Sequence, residues 1–124
     1  MTKRVLSVGQ CVPDHGSLSR FLLSTFPVSI DTSDSAADAI DRLRQQAYDL
    51  VLINRKLDAD YTDGTEILRL IKADPQLAPT PVMIISNYKE HQDNAIMLGA
   101  EYGFGKNELG LSDVIARLEP HLKA

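Results

Sequence analysis

Ser86, Asn87 and Lys106 are the side chains best able to act together on a ligand in this 124-residue chain. An ammonium, a hydroxyl and neighbouring backbone N–H groups make a small anion pocket, suited to phosphate, a nucleotide or an acidic peptide. The simpler expectation is that Lys106 pairs with a nearby acid such as Asp14 or Asp58 and holds two loops together. Cys11 and His15, with Asp14 between them, are spaced as one helical turn, which superficially suits a thiolate nucleophile and its base. A loop thiol and the first residues of a helix explain them more simply.

Metal ligands are a weaker reading. Asp58, Asp60 and Asp63 invite calcium, but the EF-hand pattern needs glycine at its sixth place and glutamate at its twelfth, where Asp63 and Arg69 stand. A solvated loop followed by a helix cap is the expectation. His91 and His121 have no partners at metal-ligand spacing and are expected to be exposed. Neither metal nor cofactor is therefore expected. Gly103 and Gly105, either side of Phe104, could mark close approach of a ligand or partner, or could relax a short strand.

The elements that must position these residues form a regular alternation. Short apolar runs at Val5–Val8, Val28–Ile30, Leu50–Ile53, Val82–Ile85 and Tyr102–Gly105 read as strands. Helical patterns lie between and after them. One carries Leu18, Phe21 and Leu22 and ends near Phe26 and Pro27. The next is capped by Ser35, with Ala36, Ile40, Leu43 and Ala47 as one buried stripe. A third starts near Gly64 and stops at Asp74-Pro75, and a polar fourth ends at Gly99. A fifth is capped by Ser112, turns Leu111, Ile115, Leu118 and Leu122 inward, and should be disturbed by Pro120. Strand-helix alternation of this kind predicts a doubly wound parallel sheet, flavodoxin-like in order 2-1-3-4-5, with two helices on one face and three on the other.

Composition narrows the class. The length suits one domain over residues 1–124, and 44% hydrophobic with 24% charged residues is ordinary for a globular protein. A net charge of -4 with scattered Lys and Arg offers no surface for a nucleic-acid backbone. A single cysteine, no signal-peptide pattern and no long apolar run point to a cytoplasmic protein that does not engage membranes.

In such a sheet, ligands gather beyond the carboxyl ends of the strands, here around Gly9-Gln10, Asn54, Ser86-Asn87 and Lys106. The segments Val5–Val8, Asp49–Asn54, Asp63-Gly64, Pro81–Ser86 and Gly99–Tyr102 leading to Lys106 together resemble the receiver domains of bacterial response regulators, such as the chemotaxis response regulator. The resemblance covers nearly the whole chain, with about two extra residues in the loop after Asn54. It implies a two-component or phosphorelay signalling domain, not an enzyme.

The resemblance also implies five functional positions, of which only the hydroxyl, Ser86, and the lysine, Lys106, are kept. The paired acids fall on Gly9 and Gln10, which supply no carboxylate for Mg²⁺. The phosphoacceptor falls on Asn54, whose amide is not a nucleophile. The switch aromatic falls on Gly103, and the proline after the lysine is Asn107. The expected function is phosphorylation-independent signalling by protein–protein interaction. The resemblance alone places the surface on the fourth helix, fifth strand and fifth helix, with a homodimer as the weaker possibility. Alternatives are an anion or nucleotide module around Ser86, Asn87 and Lys106, and a working receiver using an unconventional acid.

Overall fold

In the computed structural model, which describes residues 2–124, strand and helix alternate five times. They are β1 (Lys3–Val8), α1 (Val12–Thr25), β2 (Val28–Ser33), α2 (Ala36–Gln45), β3 (Leu50–Asn54), α3 (Gly64–Ala73), β4 (Val82–Ile85), α4 (Lys89–Met97), β5 (Glu101–Phe104) and α5 (Ser112–Leu122). All pairings are parallel and the order is β2-β1-β3-β4-β5, the doubly wound topology expected. No helix of the described residues is long and apolar enough to cross a membrane.

Alternation along each strand divides the core into two layers. Leu6, Val8, Val51, Ile53, Val82 and Ile84 face α2, α3 and α4. Val5, Leu50, Leu52, Met83, Ile85 and Phe104 face α1 and α5. The central strand β3 is covered on both sides, which is why it reads as an unbroken apolar run. Each fully buried aliphatic side chain contributes about 1.5–3 kcal/mol, so these two layers dominate the stability.

Several local expectations change. β2 runs on past Ile30 to Ser33, because its edge position pairs it with β1 from Lys3↔Val28 to Val8↔Ser33 while leaving polar residues in solvent. Ser35 caps α2 by accepting the N–H of Asp38 at 3.1 Å, but the helix ends at Gln45 and Ala47 is exposed. Tyr48 is buried instead, its hydroxyl donating to Asp31 at 2.6 Å. At α5 the cap position is Leu111, exposed and without a side-chain cap, rather than Ser112. Pro120 does not cut the helix short: it lies one turn from the end, where only the bond to the carbonyl of exposed Ala116 is lost.

One irregularity bears on function. Met83 pairs with Glu101 and Ile85 with Phe104, so β5 fits one more residue than β4 into the same stretch. This bulge falls at Tyr102-Gly103 and resets which side chains point inward.

Candidate functional site

The carboxyl ends of β1, β3, β4 and β5 bring the loops bearing Gly9, Gln10, Asn54, Ser86, Asn87 and Lys106 to one edge of the sheet. Lys106 reaches α1, where its Nζ lies 2.6 Å from Asp14 Oδ2. Of the two acids considered, Asp14 is the partner and Asp58 is not. The hydrogen bond from Lys106, and secondarily one from Cys11, hold the Asp14 carboxyl below its ordinary value. Cys11 thus stands at the amino-terminal cap of α1, where it touches Asp14. His15 contacts Ser19 rather than Cys11, so no nucleophile-base pair forms there.

Asn54, at the end of β3, spends its amide group on the backbone. Nδ2 donates to the carbonyl of Lys56 at 2.8 Å and to that of Gly9 at 3.3 Å, tying the β3 loop to the β1 loop. Gly9 adopts φ +77°, and a Cβ there would lie 2.5 Å from Leu57 Cγ. Leu57 is fully buried, so an apolar side chain occupies the space that any side chain at position 9 would need. Gln10 is half-buried, and its amide reaches only the carbonyl of Val8 at 3.5 Å, beyond good hydrogen-bond length.

Ser86 and His91 form a pair that the sequence did not reveal. Ser86 Oγ lies 2.6 Å from His91 Nδ1 and accepts the N–H of Tyr88 at 3.2 Å. The His91 ring stands edge-on to Tyr88. Neither histidine is simply exposed: His91 is half-buried in this contact, and His121 approaches Glu101 at 3.8 Å. Asn87 Oδ1 accepts the N–H of Asn107 at 3.1 Å, linking the β4 and β5 loops. A cleft of about 290 Å³ runs past Asn54, Lys56, Ser86, His91 and Lys106. Its three anion-pocket residues, Ser86, Asn87 and Lys106, are already paired within the protein.

The glycines beside Phe104 are explained internally. A Cβ on Gly105 would collide with Asn87, and one on Gly103 with the carbonyl of Ile84. Gly103 is further fixed by Gln92, a 3% exposed residue of α4. Gln92 Oε1 accepts the N–H of Gly103 at 2.9 Å, while Nε2 donates to the carbonyls of Ile84 at 2.8 Å and Ser86 at 3.2 Å. Arg117 completes the arrangement by donating to the carbonyl of Gly103 at 2.8 Å and covering the half-exposed ring of Tyr102 at 4.2 Å. Gln92 and Arg117 carry no sequence signal of this role, since each stands in a helix of otherwise ordinary polarity.

The sequence profile of the response regulator receiver domain matches residues 13–117. The chain belongs to the receiver domain family. Comparison with curated protein sequences returned no match. Among solved receiver structures, the signal receiver domain of a DNA-binding response regulator (merR) from Colwellia psychrerythraea 34H shares 24% identity, with 95% of this chain and 96% of that one covered and a TM-score of 0.80. NtrX from Brucella abortus shares 26% over 98% of this chain and 27% of its own, at 0.79. The phosphorylated cyanobacterial phytochrome response regulator RcpA shares 25% over 97% and 91%, at 0.71. This receiver domain is thus a signalling module of the two-component type.

Magnesium, which the family resemblance implies, does not fit the residues present. A hard divalent ion takes oxygen ligands, carboxylates foremost. The corresponding positions offer Gly9, an amide at Gln10, and Asn54 engaged with two carbonyls. Among the described residues no three His, Cys, Asp or Glu side chains converge as a metal site. Asp58, Asp60 and Asp63 act locally instead: Asp63 caps α3 through Thr65, and Asp60 accepts the N–H of Thr62.

Proposed function

We propose that this receiver domain signals without being phosphorylated, by presenting a fixed surface to a partner protein. The observation that carries the reading is the bonding of Asn54. Its amide serves as a tie between two loops, at the place where the family resemblance puts the phosphoacceptor. An amide nitrogen is not a usable nucleophile, and the carboxylates that would gather a metal are absent beside it.

The partner surface is α4, β5 and α5. Tyr88, Ile96, Met97 and Tyr102 expose apolar side chains there, Met97 to 86%. Aromatic residues and methionine are the side chains that enrich protein interfaces. The bonds of Gln92 and Arg117 hold this surface in one arrangement, which supports recognition independent of a switch. An anion module around Lys106 is less favoured, because binding would have to displace Asp14.

The test is an amide NMR titration with Mg²⁺ and then beryllofluoride, whose fluorides stand in for phosphoryl oxygens, alongside mass spectrometry after acetyl phosphate. No saturating shifts and no added phosphate are expected. Saturating shifts at Gly9, Gln10, Asn54 and Lys106, or a phosphorylated acid elsewhere, would make the domain a switch and end the proposal. Light scattering decides whether the partner is a second copy.

A further inference from the structure

One cavity is lined mostly by residues outside the family positions. It lies on the opposite side of β1 from the Asn54 loop, between β1, the end of β2 and the first turn of α1, and measures about 190 Å³. Ser7, Gln10, His15, Thr32 and Asp34 line it. One buried water needs only about 10–15 Å³ of such space, so the cavity has room for a small molecule.

Two observations point to a ligand. Ser7 is 2% exposed, and its Oγ is, among the described residues, the one buried side-chain polar atom without a hydrogen-bond partner. Such atoms are normally satisfied, and an orphan in a cavity wall marks a place where something else supplies the bond. Gln10 is the second: it lines the cavity, and its amide makes only the 3.5 Å contact to Val8 within the protein.

The lining also sets the sign of the charge. Asp34 is its carboxylate, no lysine or arginine contributes, and Ser7, Gln10 and Thr32 add oxygens able to accept hydrogen bonds. We propose that this cavity binds a small primary ammonium compound bearing a hydroxyl group. The ammonium is held by Asp34 and the Gln10 oxygen, and the hydroxyl is bonded to Ser7. Of the positions that the family resemblance marks, the site includes Gln10 alone, and it does not depend on the protein-binding reading above.

Ethanolamine is the probe, followed by amide NMR, with glycerol as the uncharged control. Saturating shifts confined to Ser7, Gln10, His15, Ser33 and Asp34 are expected with ethanolamine and not with glycerol. Asp34→Asn should weaken binding about tenfold or more, the loss of one charge-assisted bond. Ser7→Ala should weaken it similarly while leaving the melting temperature of the free protein unchanged or higher, because it deletes an orphaned hydroxyl. Equal shifts with glycerol, binding unaffected by Asp34→Asn, or linear shifts that never saturate would overturn the proposal. A lower melting temperature for ligand-free Ser7→Ala would also do so, since the hydroxyl would then serve the fold.

Discussion

Gln92 accepts the backbone N–H of Gly103 at 2.9 Å, so a helix side chain completes the hydrogen bonding of a strand at its bulge. The same amide donates to the carbonyls of Ile84 and Ser86, so one residue ties α4 to both β4 and β5. The family resemblance places a mobile aromatic at Gly103. Here the position has no side chain, and its backbone is clamped from both sides, by Gln92 and by Arg117.

Removing that clamp should be costly. Gln92→Ala leaves a buried N–H and two carbonyls without their partner, at about 1–3 kcal/mol for a stranded group. We expect a total loss of about 3 kcal/mol in urea unfolding, with broadened amide signals through α4 and β5. A loss under about 0.5 kcal/mol would show that the clamp contributes little.

Restoring the aromatic should fail. In Gly103→Tyr the new Cβ meets the carbonyl of Ile84 and approaches Gln92 Oε1 to 3.0 Å. Backbone cannot yield as a flexible side chain does, so destabilisation of at least about 2 kcal/mol is expected from thermal or urea unfolding. A variant as stable as the parent would mean that the bulge rearranges freely.

The Lys106–Asp14 pair predicts a modest, pH-dependent term. Both side chains are about one-third exposed, so a double-mutant cycle with Lys106→Met and Asp14→Asn should give a coupling of about 1 kcal/mol or less. Asp14 has a lowered carboxyl value when folded, so its contribution is present above the unfolded value of about 3.9. It shrinks as the pH drops below that value and is gone once the pH passes the lower folded one. The stability gap between parent and Asp14→Asn should therefore be widest near neutrality and close in acid.

Single substitutions toward the family pattern should not confer phosphotransfer. Asn54→Asp sets a carboxylate against the carbonyls of Gly9 and Lys56 that now receive its N–H bonds, and should cost about 1–3 kcal/mol at neutral pH. Incubation with acetyl phosphate should leave the mass of this variant unchanged. Gly9→Asp should be worse still, combining a positive φ with collision against Leu57. Efficient labelling of Asn54→Asp would show that neighbouring acids rebuild the missing charge.

Much of the architecture was legible because burial leaves a periodic trace. The apolar runs Leu50–Ile53 and Val82–Ile85 are covered on both faces, and the Ser35 and Asp63 caps lie within a few residues of the N–H groups they serve. Signals of that kind are local in sequence. The site was legible only as a set of absences, Gly9, Gln10 and Asn54 standing where the resemblance calls for acids.

What replaced those acids was decided in three dimensions. Ala47 and Leu111 keep helical spacing yet are exposed, because α2 stops at Gln45 and α5 starts at Ser112. Leu57 packs against Gly9 from 48 positions along the chain, and Lys106 pairs with Asp14 from 92 away. Ser86 with His91 and Gln92 with Gly103 are nearer, but their contacts depend on how α4 lies across the ends of β4 and β5. The sequence alone determined the alternation of strands and helices, the two-sided burial of the sheet and the presence of an amide, Asn54, where the resemblance puts the phosphoacceptor. Tertiary structure alone decided which polar groups satisfy one another, because hydrogen bonds and close packing act over a few ångströms in space and leave no period along the chain.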